Sequence, residues 1–272
     1  LWLRNIRMSV KESTYSNYYM KIHKHILPFL GQISYDKLTA DFLNNFIEVN
    51  LSEGLSEKYV YDITVLIRAA FKYARKKYGY SDKSEFMNMP KCKTAFRKKM
   101  LSETEFTSLM SALKNNMTFT KLGIFIASFT GIRIGELCAL KWSDVDFKNG
   151  VISIQNTVQR ITNFDGQNST KVVITSPKSQ TSIRKIPVPQ WLKRIMYTAK
   201  CAADSYILTG TTNYVEPRTM QYRFRSLLKK LNLPLINFHT LRHMFATRCI
   251  SIGFDVKTLS EILGHSSVEI TL

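Results

Sequence analysis

Apolar residues recur through the first ninety positions at helical intervals. The clearest stretch is opened by Ser56, after which Val60, Ile63, Leu66, Ile67, Ala70, Phe71 and Ala74 fall on one side, the three-to-four spacing of an amphipathic helix. Ser56 suits the N-cap of that helix, and Arg75, Lys76 and Lys77 suit its last turn. An earlier helix, capped by Ser13 or Thr14 and carrying Tyr15, Tyr18, Tyr19, Ile22 and Ile26, is predicted to end at Pro28 and Gly31. Thr39 caps a predicted middle helix over 40–50, and Gly54 breaks the pattern. Farther on, Ser102 and Glu105 make a capping-box pair that opens a helix running to about Asn115. Residues 118–129 are so uniformly apolar that a buried helix is predicted there. After Val151 the period changes to two: Val151, Ser153 and Gln155 alternate with Ile152, Ile154 and Asn156. Residues 171–175 and 183–188 read as further short strands, with turns around Asp165-Gly166 and 178–182. From Gln190 onward the pattern is helical again, interrupted at Gly210, Gly253 and Gly264. The chain is therefore predicted to be mainly α with a small antiparallel β-sheet.

Between these regions, residues 87–100 lose all periodicity, contain Pro90, and hold Lys91, Lys93, Arg97, Lys98 and Lys99. The division this predicts is a helical domain over 1–90, a basic linker over 91–100 and a second domain over 101–272. A chain of 272 residues is long enough for two cores. Composition adds a strong constraint. There are 39 basic and 20 acidic residues, a net charge of +19, which argues against an ordinary metabolic enzyme and for a polyanionic partner. The excess is not a tail: residues 1–100 hold 18 basic and 9 acidic side chains, and the remainder 21 and 11. Two basic halves suit a protein that encloses nucleic acid better than one with a single membrane-binding segment. No apolar run is long enough to span a bilayer, and the first ten residues lack a signal-peptide core. The chain does not begin with Met, so it reads as part of a longer protein. Cys92, Cys138, Cys201 and Cys249 are scattered without zinc-ligand spacing, which predicts reduced thiols in a reducing, cytoplasmic setting.

Five basic side chains stand out by context. Arg133 lies between two apolar segments in Thr130-Gly131-Ile132-Arg133-Ile134-Gly135-Glu136-Leu137, so it is predicted half-buried and in need of a carboxylate or phosphate. Glu136, three residues on, could hold the guanidinium side-on, although a purely structural ion pair explains the spacing as well. His239 and Arg242 share a helical face in Phe238-His239-Thr240-Leu241-Arg242-His243, and an imidazole beside a guanidinium suits phosphate chemistry. His239 and His243 also have the spacing of a zinc helix. The intervening residues include no glutamate, however, and an arginine in the same turn repels a dication, so no metal is predicted. Lys178 and His265 carry little weight alone: one sits at a predicted hairpin tip, the other after a helix break at Gly264.

Together these segments make the chain similar to the tyrosine recombinases, the integrases of phages and conjugative transposons. The resemblance is carried by 239–247 with Gly253 and Leu263-Gly264-His265-Ser266-Ser267, by 130–137 with Leu140-Lys141-Trp142, and by Lys178 with Arg184-Lys185-Ile186-Pro187-Val188. It implies a helical core-binding domain ahead of an α+β catalytic domain, and recombination through a 3′-phosphotyrosine without ATP, metal or cofactor. It also implies a tetramer on recombination-site DNA, acting in the cytoplasm at the nucleoid. By the resemblance, Arg133 and Arg242 would clamp the nonbridging oxygens of the scissile phosphate, with Glu136 supporting Arg133. Lys178 would protonate the departing 5′-oxygen, His239 would bond the phosphate and take the nucleophile's proton, and His265 would add a second bond. Apart from the resemblance, the cations of the basic linker suit a segment lying along a phosphate backbone, and equally a solvated connector. The resemblance places the nucleophilic tyrosine on the helix after the Gly-His-Ser-Ser segment. Tyr206, Tyr214 and Tyr222 precede that segment, so the tyrosine is expected just beyond Leu272, in the longer parent chain. A type IB topoisomerase-like nicker and a non-catalytic DNA-binding relative remain as alternatives.

Overall fold

The computed structural model describes residues 1–91, 99–164, 169–176 and 183–264. The chain divides into two compact units, one formed by residues 1–96 with 161–171, the other by 97–160 with 172–272. The linear boundary predicted near residue 100 is thus joined by a second crossing, in the predicted strand region.

The first unit is helical. It holds α1 (Trp2–Ile6), α2 (Glu12–Lys21), a π-helical turn over Ile22–Ile26, α3 (Leu27–Leu30), α4 (Ala40–Ser52) and α5 (Glu57–Tyr78). Thr39 and Ser56 cap α4 and α5, accepting from Phe42 N–H and Tyr59 N–H, and Gly79 ends α5 in the left-handed conformation. Leu43, Phe46 and Ile47 of α4 pack on Val60, Ile63, Ile67 and Phe71 of α5, each such buried side chain contributing roughly 1.5–3 kcal/mol over exposure. The first predicted helix ends at Gly31 as expected, but its start and its stop at Pro28 are corrected. Its N-cap is Lys11, not Ser13 or Thr14, and Pro28 does not stop it, because proline sits in the first turn of α3, where its missing N–H costs nothing. The preceding π turn takes up the change of register. Thr162 N–H donates to Ser16 Oγ at 2.8 Å, and Phe164 lies edge-on to Tyr15 and Tyr19, which explains why 161–171 groups with this unit.

The second unit opens with α6 (Glu103–Lys114), whose Ser102–Glu105 capping box forms as predicted. It continues through α7 (Phe119–Thr130), α8 (Ile134–Ala139), β1 (Val145–Asp146), β2 (Val151–Ile154), β3 (Thr157–Thr162), whose last two residues belong to the first unit, β4 (Thr170–Thr175), whose first two do, and β5 (Arg184–Pro187). The remaining helices are α9 (Gln190–Thr198), α10 (Pro217–Lys230), α11 (Phe238–Ser251) and α12 (Val256–Leu263). As its apolar circumference requires, α7 is buried nearly all round, and it packs against α6, α8, α9, α10 and α11. Strands β1, β2 and β5 form an antiparallel sheet in that order. Ile152 pairs with Ile186 and both are fully buried, the period-two burial foreseen after Val151. That alternation was predicted to run on through Asn156; instead β2 stops at Ile154, and β3, which was not predicted, begins at Thr157 and pairs with β4. Among the described residues no helix is long and apolar enough to cross a membrane.

Candidate active site

The site begins where α7 stops. Gly131 adopts φ +63°, a conformation that favours glycine, and a Cβ there would lie 2.6 Å from Leu263 Cδ2 and 2.7 Å from the Phe245 ring. This turn delivers Arg133 to the N-cap of α8. Gly135 brings the helix against β3, since a Cβ there would lie 2.5 Å from Thr157 Oγ1. Glu136, in the first turn of α8, reaches back: it accepts from Arg133 N–H at 3.0 Å and from Arg133 Nη1 at 2.9 Å.

The same carboxylate is held from its other side. Arg184, the first residue of β5, donates Nη1 and Nη2 to the two Glu136 oxygens at 3.0 and 2.9 Å, a bidentate fork. The side chains of Arg184 and Glu136 are 6% and 3% exposed, while that of Arg133 is 34% exposed. Arg242, from α11, lies one layer deeper at 3% exposure and donates Nη1 to Gly131 O at 2.8 Å and Nη2 to Leu263 O at 2.7 Å.

A single helix end organises all three guanidinium groups. The last carbonyls of α12 and its cap, Ile262, Leu263 and Gly264, each accept from a different arginine. Arg184 Nε reaches Ile262 at 2.6 Å, Arg242 Nη2 reaches Leu263 at 2.7 Å, and Arg133 Nη2 reaches Gly264 at 2.8 Å. A helix C-terminus leaves its final carbonyls without internal partners and carries partial negative charge, so the fit is both geometric and electrostatic.

The charge balance decides what the cluster can do. Three guanidinium groups face one carboxylate. Burial would raise the Glu136 carboxyl, but the hydrogen bonds and charge of Arg184, with Arg133, hold it below the usual carboxylate range. Burial, with repulsion from Arg133 and Arg184, pushes the Arg242 guanidinium down to about 9, against the opposing pull of Glu136, which leaves it charged at neutral pH. Each arginine carries five N–H donors, so the carbonyl bonds do not exhaust Arg133 or Arg242. A cluster with two excess positive charges and oriented donors is a receptor for an oxyanion.

Of the predicted site residues, the structure gathers Arg133, Glu136 and Arg242. His239 stands one turn before Arg242 in the first turn of α11, with its ring exposed and 4.7 Å from that of His243. Asn237 caps this helix by accepting from His239 N–H. Lys178 and His265 lie outside the described residues, as do Lys93, Arg97 and Lys98. Lys91 and Lys99 are exposed. Among the described residues no group of three or more His, Cys, Asp or Glu could hold a metal. Two features were not identified as functional from the sequence. One is Arg184, whose partner lies 48 residues away. The other is the exposed face of α10 formed by Arg218, Tyr222, Arg225 and Lys229. Their i, i+4, i+7, i+11 spacing could have revealed it. Gln221 of α10 accepts from Phe238 N–H at 2.9 Å, tying that helix to the start of α11.

Comparison with known proteins agrees across the chain. Residues 99–272 match the phage integrase family, and residues 1–49 match its N-terminal SAM-like domain. A XerC-like tyrosine recombinase of Caldanaerobacter subterraneus subsp. tengcongensis is 27% identical over 99% of this chain and 75% of its own length. The ICEBs1 integrase of Bacillus subtilis is 26% identical over 100% of this chain and 76% of its own length. Among solved structures, the Tn1549 transposon integrase in complex with a circular intermediate DNA has the same fold, with a TM-score of 0.82, 24% identity and coverage of 100% of this chain and 92% of that one. A lambda integrase tetramer bound to a Holliday junction aligns with a TM-score of 0.72 at 20% identity, over 98% of this chain and 76% of that one.

Proposed function

This chain belongs to the phage integrase family, and from that premise we propose that it is the core of a site-specific DNA recombinase of a mobile element, which cuts and rejoins strands through a 3′-phosphotyrosine. The observation that carries the reading is the buried cluster in which three arginines surround one glutamate and keep donors for an oxyanion. The helical unit serves as the core-binding part and the second unit as the catalytic part. DNA is the partner, and strand exchange requires a multimer, in this reading a homotetramer, because two duplexes must each be cut twice.

The chemistry follows from charge. The nucleophile's oxygen bonds to phosphorus, and the bond to the 5′-oxygen breaks. Arg133 and Arg242 hold the nonbridging oxygens, and their charge matches the charge that builds on them in the transition state. His239 hydrogen-bonds the phosphate and takes the tyrosine proton, Lys178 gives a proton to the departing 5′-oxygen, and His265 adds a further bond. The phosphotyrosine retains the energy of the broken ester, so a 5′-hydroxyl of another strand attacks without ATP. The guanidinium pair does the work a metal does elsewhere, so no cofactor is invoked. The exposed cations of α10, beside the start of α11, and Lys91, Lys93, Arg97, Lys98 and Lys99 bind the DNA backbone.

The test is covalent capture. The full-length gene product is incubated in EDTA with a random duplex pool, and SDS-resistant adducts are recovered and sequenced. The expected outcome is adducts at one recurrent sequence. Arg133→Ala or Arg242→Ala should each lower adduct yield by about 10²–10³-fold, the cost of removing one transition-state donor. Salt-sensitive binding without adducts would instead indicate a non-catalytic DNA-binding protein. Plasmid relaxation without recombinant product would indicate a topoisomerase-like nicker.

A further inference from the structure

Arg184 is the most thoroughly bonded of the three arginines in the cluster, and the mechanism above does not use it. Its fork closes on both oxygens of Glu136 while Nε holds Ile262 O. Two bodies meet at this side chain: the carboxylate that aims Arg133, and the helix end that leads through Gly264 into the segment beginning at His265. Its own strand, β5, is paired to β2 from Arg184 to Pro187, so the guanidinium is mounted on a sheet rather than on a loop. At 6% side-chain exposure it lies behind Arg133, whose side chain is 34% exposed, and Glu136 stands between them. That placement is wrong for a phosphate ligand and right for a brace.

We propose that Arg184 is a positioning residue for the recombination reaction. It fixes the Glu136 carboxylate and the last turn of α12 in one frame, so that the Arg133 guanidinium and the Gly264 carbonyl it bonds keep a constant geometry. Without it, Glu136 has one guanidinium where it had two, and can follow Arg133 instead of fixing it. The Ile262 carbonyl loses its hydrogen bond from β5. Lysine cannot substitute: it offers a point charge in place of a planar fork, and cannot span two carboxylate oxygens and a carbonyl together. The inference rests on the recombinase reading.

The test uses the full-length gene product and a duplex recovered by the covalent capture above. Arg184→Lys and Arg184→Gln are compared with the parent in three measurements: thermal melting, DNA affinity, and the single-turnover rate of adduct formation. The expected result is a rate loss of about 100-fold, the scale of an ångström-sized misplacement, with DNA affinity within about threefold. A split of this kind separates positioning from general loosening of the fold, which would lower both. A double-mutant cycle with Glu136→Gln then identifies the route. If Arg184 acts in part through Glu136, the double variant loses clearly less than the product of the two single losses, whereas independent contacts with DNA would multiply fully. Multiplying losses, an unchanged rate in a folded variant, or failure of both Arg184 variants to fold would each overturn the proposal. Failure of the recombinase reading shows differently, as a parent protein that forms no adduct.

Discussion

Each unit contains a carboxylate gripped by two cations, and the two arrangements differ in kind. In the helical unit, Asp62 accepts from Lys21 at 3.0 Å and from Lys58 at 2.8 Å. Lys21 is buried and also lies over the Tyr59 ring, while the Asp62 side chain is 36% exposed and Lys58 68%. One positive charge is left over, on the exposed Lys58; each lysine is a point donor, and the pair is open to solvent. Around Glu136 the cations are forks, a third arginine is added, and a helix end supplies neutral acceptors in place of a second carboxylate. The first arrangement ends in itself, as a buttress between α2 and α5. The second leaves aimed positive charge over. A buried ion pair is therefore weak evidence for a site; surplus charge held rigidly is stronger evidence.

The sharpest way to break this comparison is Arg242→Met. It removes a buried cation bonded to two carbonyls, and should destabilise the second unit by about 3 kcal/mol, read as a lower urea midpoint with an unchanged slope, while lowering adduct formation by about 10²–10³-fold. The next effect sets Glu136→Gln against Asp62→Asn. Loss of the Glu136 charge strands buried arginines and should cost about 3 kcal/mol. Asp62→Asn should cost about 1 kcal/mol or less, because solvent screens the pair, and should leave the rate of adduct formation unchanged.

Acid sharpens the same contrast. Burial would raise the Asp62 carboxyl, but hydrogen bonds from Lys58 and Lys21 hold it below the ordinary range, as arginines do for Glu136. A carboxyl lowered by folding stabilises above its unfolded value, and that contribution is lost as pH falls through the lowered folded one. Melting temperature followed from neutral pH down past the carboxylate range should drop, and the drop should be shallower in Glu136→Gln than in the parent. The smallest effect belongs to Lys58→Met, an exposed i,i+4 pair, with a change within about 0.5 kcal/mol.

What the sequence disclosed followed the range of the interaction. Helices α4, α5 and α6 were legible because their caps, Thr39, Ser56 and Ser102, act within three residues, and α7 because its residues are apolar all round. Arg133 and Glu136 were legible because they too act within three residues. The burial of Lys21 was not legible, because its partner Asp62 lies 41 residues away. Arg184 was seen only as part of a hairpin resemblance, since nothing local shows that its fork closes on Glu136. The depth of Arg242 was equally hidden, because its partners are backbone carbonyls, and every residue type has one.

That last property bears on how the cluster tolerates change. Bonds to a side chain can be lost through a single codon, but the carbonyls of Ile262, Leu263 and Gly264 persist through almost any replacement. Ile262 can drift among residues that fit its partly buried place without disturbing the Arg184 contact. Leu263 is constrained by its complete burial, not by its bond to Arg242. Mutational fragility is thereby concentrated on the donors and on Gly264, whose φ of +66° shapes the turn. A mutational scan of 256–264 should find a helix whose catalytic duty is invisible at most of its own positions and is recorded instead at 133, 184 and 242.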